Sequence, residues 1–331
     1  MTISCLALML LIPGGVPGAQ DAGAPAAPAC TFAEGDRAWV ERTLEAWHFA
    51  ARELAGIESV PRFRALFFDA HCVRSSDDAL VRADAPATWS SAAHAGMIAL
   101  PDGSEIEAGV TSFTRGAEEL TYFVMSTPSV WSAAGVGSGA DLERTMVGVM
   151  LHESSHVAQV GSYGKRLAAL IARHELPDSF NDNAVQERFR AVPEFAAAVG
   201  KETRLFAQAA AAADEAEARY LAFEARESMR ARAARWYVGA DAYLAEAEDL
   251  WLTFEGSGQW LAYRWMTDTR GGGAKPADVL GRFTGDAQWS QGEGFALVLA
   301  LDRFTGSSWR RHAFGDGAQT VLEMLDAVLA E

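Results

Sequence analysis

Residues 207–237 read AQAAAAADEAEARYLAFEARESMRARAARWY, and this stretch decides the class of fold. Alanine, glutamate and arginine are strong helix formers, and the stretch contains neither glycine nor proline. Glu215 lies four residues before Arg219, and Glu227 three before Arg230, so each pair can meet on one helix face. The pattern predicts a single long, solvated helix over 207–237.

Helical patterns continue on both sides of this stretch. Upstream, Asp141 can cap a helix that ends near Gly161. Downstream, apolar spacing predicts further helices at 241–267, 291–304 and 317–330. Together these elements predict a helical part over residues 141–331.

The preceding part, residues 23–140, has a different character. Its apolar positions predict one helix from Asp36 to Leu54, followed by a strand within RFRALFFDAHC, residues 62–72. Pro-Asp-Gly at 101–103 stands between two apolar runs, which is typical of a hairpin. We therefore expect an α+β fold that is predominantly helical, with a small N-terminal antiparallel sheet packed on the helix that begins at Asp141.

Residues 1–22 carry the apolar run Leu6–Ile12, followed by a stretch rich in glycine, proline and alanine. The run is too short to span a bilayer but suits the apolar region of a signal peptide. No lysine or arginine precedes Arg37, so the usual positive start of a signal is missing. We expect export to the periplasm or beyond, with membrane contact only if this segment is retained as an anchor; an apolar tail on a cytoplasmic protein is the alternative.

The chain is acidic, with 44 aspartate and glutamate residues against 28 lysine and arginine residues. A surface of this charge repels phosphate backbones, so nucleic acid is not an expected partner.

Three cysteines occur, and Cys5 lies in the apolar N-terminal segment. Cys30 and Cys72 remain, an even number that suits one disulfide in an oxidising compartment. Two unrelated thiols are the alternative.

The segment GVMLHESSHVAQ, residues 148–159, indicates chemistry. His152 and His156 are four residues apart, so both imidazoles lie on one face of the predicted helix and can bind one Zn²⁺ ion. Glu153 follows the first histidine and can serve as the general base that takes a proton from the attacking water. Two satisfied histidines in a structural helix are the alternative.

A catalytic zinc site needs a third protein ligand. Glu255, in DLWLTFEGSGQW at 249–260, is the best candidate, because Gly256 after it lets another helix or the metal approach closely. Glu202, near the start of a predicted helix, is the alternative. Glu248 and Asp249 are candidates for holding a histidine N–H, although structural carboxylates are the simpler reading of both.

The two segments HESSH and WLTFEG resemble the gluzincin metallopeptidases, in which a glutamate completes a zinc-binding H-E-x-x-H helix. The resemblance implies that His152, His156 and Glu255 bind zinc and that Glu153 is the base.

Peptide hydrolysis also needs a donor to the oxyanion, for which Tyr263 and Tyr163 are candidates. The strand TYFVMS, residues 121–126, could pair with an extended substrate or lie buried in the core. We expect an exported zinc metallopeptidase acting on a peptide or protein. The alternatives are a zinc-binding or helical interaction protein without catalysis, and a zinc hydrolase of non-peptide substrates.

Overall fold

A computed structural model describes residues 2–3, 30–59, 63–76, 88–117, 120–177, 179–285 and 287–330. The predicted signal segment therefore lies outside the described residues, apart from its residues 2–3.

In the N-terminal part, the described residues form one long helix and eight strands. Helix α1 spans Glu34–Phe49 and continues into a π-helical turn, Ala50–Leu54. The strands are β1 (Thr2–Ile3), β2 (Arg64–Phe68), β3 (Cys72–Ser76), β4 (Trp89–Ala93), β5 (Met97–Ala99), β6 (Glu105–Glu107), β7 (Ser112–Ala117) and β8 (Leu120–Ser126).

Six strands form one sheet in the order β1-β7-β8-β2-β3-β4, and β5 and β6 form a separate hairpin around the predicted turn at 101–103. The sheet is mixed, because strands β2 and β8 pair in parallel, whereas the other described strand pairs of this sheet are antiparallel. The small sheet expected from the sequence is thus antiparallel in each described pair except this one. Three strands and a hairpin separate β2 from β8, and the chain returns beside β2 in the same direction.

A disulfide joins Cys30 to Cys72 and fixes the segment before α1 to the first residue of β3.

The remaining part is helical. Its helices are α2 (Pro128–Ala133), α3 (Gly139–Gln159), α4 (Lys165–Arg173), α5 (Ala184–Phe189), α6 (Pro193–Ala211), α7 (Glu215–Trp236), α8 (Leu244–Thr267), α9 (Pro276–Phe283), α10 (Trp289–Thr305) and α11 (Val321–Leu329). A π-helical turn, Val160–Gly164, follows α3, and another, His312–Asp316, precedes α11.

The stretch 207–237 is not one helix. It breaks between Ala211 and Glu215, because Asp214 takes an extended conformation and its carboxylate accepts a hydrogen bond of 2.8 Å from the backbone N–H of Glu217. This is an N-cap, which satisfies one of the free donors at the start of α7. Both predicted ion pairs form within α7.

A continuous apolar core runs from Phe32 to Leu325 and joins the two parts. The sheet packs on α3, where the hydroxyl of Thr114 in β7 donates a 2.7 Å hydrogen bond to the carbonyl of Glu153. The predicted α+β, predominantly helical class is therefore confirmed. Among the described helices, none combines the length and apolar composition that a bilayer crossing requires.

Candidate metal centre

Helix α8 crosses α3 on one side and α10 on the other, and glycines allow both approaches. A Cβ at Gly258 would lie 2.8 Å from Nδ1 of His152 in α3. A Cβ at Gly256 would lie 2.4 Å from the carbonyl oxygen of Gly294 in α10. These contacts place the two histidines of α3 against the glutamate of α8.

The two histidines and the glutamate converge. Nε2 of His152 lies 3.1 Å from Nε2 of His156 and 3.2 Å from Oε2 of Glu255. Nε2 of His156 lies 3.6 Å from Oε1 of Glu255. Ligands 2.0–2.1 Å from a tetrahedral zinc ion are separated by about 3.3–3.4 Å, so these spacings suit one ion. All three side chains are buried, and the group could hold a metal ion.

His156 is prepared for this role by its charge state. Burial lowers the pKa of its imidazole to about 4, in spite of the opposing effect of the Glu255 carboxylate. The ring is therefore neutral near pH 7, which is the form that binds metal ions.

Gln159 fixes the tautomer of that ring. Its Nε2 donates to the carbonyl of Ala313 at 2.9 Å and to the hydroxyl of Ser257 at 2.8 Å. Since a carbonyl can only accept, Oε1 of Gln159 must face Nδ1 of His156, 3.1 Å away. Nδ1 then carries the proton, and the lone pair of Nε2 points towards the other two ligand groups.

Two further glutamines, Gln291 and Gln259, orient the carboxylate of Glu255. Nε2 of Gln291 in α10 donates to Oε2 of Glu255 at 3.1 Å. Oε1 of Gln291 in turn accepts a 2.6 Å hydrogen bond from Gln259. These contacts orient Glu255 from the side opposite α3, and sequence reasoning missed both glutamines. Gln159, by contrast, follows His156 by three residues on the same helix, a spacing that could have revealed it.

Glu153 lies beside the cluster. It is 1% exposed, and its Oε2 has no hydrogen-bond partner among the described residues. Burial raises the pKa of its carboxyl well above the ordinary value, and the charges of Glu255 and Asp182 add to the effect. Asp182, which precedes α5, is thus a further buried carboxylate near the site that the sequence did not indicate.

Glu202, the alternative third ligand, lies in a different cluster. Its two oxygens accept hydrogen bonds from Ser228 and Arg232, at 2.9 and 2.8 Å. Glu255, and not Glu202, is the carboxylate that the structure brings to the histidines.

The two candidate tyrosines have other contacts. The Tyr263 ring packs on Phe283 and Phe295, two turns beyond Glu255. The buried Tyr163 donates its hydroxyl hydrogen to the carbonyl of Gln319 at 2.6 Å. The structure therefore places neither hydroxyl among the ligand groups.

The predicted roles of Glu248 and Asp249 as partners of a histidine are also not seen. Glu248 accepts a hydrogen bond from Arg232, and Asp249 accepts one from the hydroxyl of Thr320.

The strand proposed for substrate pairing, β8, is an interior strand of the sheet. It pairs with β7 on one side and β2 on the other, so both edges are already hydrogen-bonded. The buried-strand alternative is the correct one.

Comparison of the chain with protein-family models, curated proteins and solved structures found no match in any of the three.

Proposed function

We propose that this protein is a zinc-dependent hydrolase of peptide bonds, in which Glu153 is the general base. The observation that carries the proposal is the convergence of His152, His156 and Glu255 beside a buried Glu153. Export remains part of the proposal, supported by the apolar N-terminal run and by the disulfide between Cys30 and Cys72.

The donor set suits zinc. Two neutral imidazoles and one carboxylate are common ligands of catalytic zinc sites, and three protein ligands leave one position open. Zinc held by these side chains would lower the pKa of an attacking water and polarise the substrate carbonyl. Calcium and magnesium prefer sites made of oxygen alone, which this one is not.

The protein's own groups supply the remaining steps. Glu153 takes the proton of the attacking water on its unpartnered Oε2 and delivers it to the leaving amine. Gln159 keeps the Nε2 lone pair of His156 directed at the site, and Gln291 holds the Glu255 carboxylate. The surrounding apolar core excludes bulk water, which strengthens each of these interactions.

The test joins zinc content to turnover. Elemental analysis after dialysis should find about one zinc per chain in the wild type and in Glu153→Gln, and little in Glu255→Ala. Hydrolysis of a peptide library should fall by about 10²–10⁴ in Glu153→Gln. The exposed, charge-matched Glu41→Gln should change neither. A folded wild-type protein that takes up no zinc when zinc is supplied would refute the proposal.

A zinc-binding protein without hydrolysis is the second candidate, and the burial of all four side chains favours it. In that case Glu153→Gln would keep both zinc and the protein's biological function.

A further inference from the structure

A small cavity adjoins the metal centre. Six of the residues that line it are Asp182, Glu248, Trp251, Leu252, Ser290 and Glu293. Leu252 lies one turn before Glu255 in α8, and Ser290 precedes Gln291, which donates to the Glu255 carboxylate. The free space inside the cavity has room for a single group the size of a water molecule.

Three acceptors around this cavity lack strong partners. Asp182 is 3% exposed, and from described side chains its carboxylate accepts only long hydrogen bonds of 3.4 Å, from Asn183 and Gln288. Oε1 of the buried Glu293 lies 3.5 Å from Nη2 of Arg232 but has no hydrogen-bond partner among the described residues, and neither has the hydroxyl of Ser290. Buried acceptors without partners are costly, so the cavity favours an occupant that donates hydrogen bonds.

The carboxyl groups around the cavity also outnumber the cations beside them, and burial raises the pKa of Asp182 and of Glu293 well above the ordinary value. Five buried carboxylates belong to this region, namely Glu153, Asp182, Glu202, Glu255 and Glu293. Within the described chain, Arg232 is the one buried side chain of lysine or arginine type, and it pairs with Glu202 and Glu293. A divalent metal ion offsets two further charges at most. No ion pair to Asp182 is present in the part of the chain described by the structure.

We propose that this cavity binds a primary ammonium group of the substrate, with Asp182 as its charge partner. An ammonium group has three N–H donors, and Asp182, Glu293 and Ser290 supply three acceptors. Its size matches the free space, whereas a guanidinium group is larger and planar. The inference rests on the proposed hydrolysis in treating the ammonium group as part of a substrate.

A water molecule is the competing occupant. It could donate to the same acceptors, and it could also accept from Nε1 of Trp251, which has no partner among the described residues. A water brings no charge, however, so Asp182 beside it would keep the proton that burial favours, whereas an ammonium group lets the carboxylate ionise as its partner. The surplus of carboxyl groups therefore favours the ammonium group.

The experiment measures binding of three amides to the zinc-loaded protein by calorimetry. Nα-acetyl-lysine amide carries only the side-chain ammonium group. Norleucine amide carries only the α-ammonium group, and Nα-acetyl-norleucine amide carries neither. Each is titrated into the wild type, Asp182→Asn, Glu293→Gln and the exposed control Glu41→Gln. The asparagine variant removes a buried charge while keeping the side-chain shape, so it should fold.

One charged probe should bind the wild type and the control about ten- to a hundredfold more tightly than the neutral probe. Asp182→Asn should abolish this preference, and Glu293→Gln should weaken it. A preference for the lysine probe assigns the cavity to a side chain, and a preference for norleucine amide assigns it to a peptide amino terminus.

Equal binding of the three probes, no binding of any, or a preference that persists in Asp182→Asn would overturn the inference, and the cavity would then hold a water only. Binding requires no turnover, so this result is independent of the peptidase test. An active peptidase without the preference would retain the proposed function and lose this inference alone.

Discussion

The candidate metal centre and the cluster around Arg232 are both buried, and they share helices α8 and α10. Helix α8 contributes Glu255 to the first and Glu248 to the second. Helix α10 contributes Gln291 to the first and Glu293 to the second. In the Arg232 cluster, carboxylates surround a guanidinium group; in the metal centre, two imidazole nitrogens and a carboxylate face one another.

Burial alone does not identify the carboxylate that could bind a metal ion. Glu202 and Glu255 are both 0% exposed, and each lies on a long helix. They differ in their neighbours, since Glu202 contacts Arg232 whereas Glu255 contacts the Nε2 atoms of two histidines. A guanidinium group makes an internal ion pair, while neutral imidazoles leave lone pairs that an external ion can use.

The largest effect is expected from removing the internal cation. Arg232→Met should lower the free energy of unfolding by about 3–5 kcal/mol, because Glu202 and Glu293 would stay buried without a cation beside them. Chemical denaturation measures this change. Arg235→Met, three residues further along α7 at an exposed position, should cost less than about 1 kcal/mol. Equal losses in the two variants would remove the distinction between the clusters.

In the candidate metal centre, we expect the corresponding change to act on the affinity for the proposed zinc ion and not on folding. Gln159→Leu should weaken zinc binding about 10- to 100-fold, because His156 loses the acceptor that fixes its tautomer. Competition with a chelator measures the affinity, and ¹⁵N shifts of the imidazole in the zinc-free protein report the tautomer. The exposed Gln208→Leu is the matched control. A variant that binds zinc normally and keeps the Nδ1 proton would contradict the assignment.

Asp249 is a carboxylate that belongs to neither cluster. Burial raises the pKa of its carboxyl to about 7, and its Oδ1 has no described hydrogen-bond partner. Between about pH 4 and pH 7 the folded protein therefore holds a proton that the unfolded chain releases, so stability falls as the pH rises.

Asp249→Asn should remove this slope. Because the side chain is partly exposed, the gain over the wild type should be about 2 kcal/mol above pH 7, and close to zero below about pH 4. Urea unfolding across this range measures it. A constant difference between the two proteins at every pH would show that Asp249 does not titrate as described.

The smallest effect should come from the helix contact itself. An added Cβ in Gly258→Ala would meet the His152 ring and should lower zinc affinity about tenfold, although alanine favours the helix by about 1 kcal/mol. Gly281→Ala, in open space on α9, should stabilise the protein without affecting zinc. Unchanged affinity in Gly258→Ala would mean that the ring adjusts freely.

Local patterns in the sequence predicted helices α1, α3, α8, α10 and α11, the hairpin at 101–103 and the pair His152 and His156, because each depends on residues close together in the chain. The flanking pattern of Glu255 also indicated the carboxylate that joins them. The break at Asp214 was not predicted, because the alanine run around it favours a continuous helix.

Long-range packing decided what the sequence could not. No local pattern shows that Glu202 pairs with an arginine whereas Glu255 faces two histidines. Arg232 lies 30 residues from Glu202 and reaches it only when α6 and α7 pack together. The parallel pairing of β2 with β8 depends in the same way on the path of the intervening chain. Asp182 and Gln291 come from separate segments that meet Glu255 only in the folded protein.

The hydrogen bond from Gln159 to Ala313 joins residues 154 positions apart. During synthesis, the HESSH helix therefore leaves the ribosome long before the carbonyl that orients Gln159. Contacts of such high sequence separation form late in folding. A nascent chain, or one truncated before residue 313, would carry all three candidate ligand side chains without this carbonyl, so the orientation of the His156 ring would be secured only once residue 313 has joined the fold.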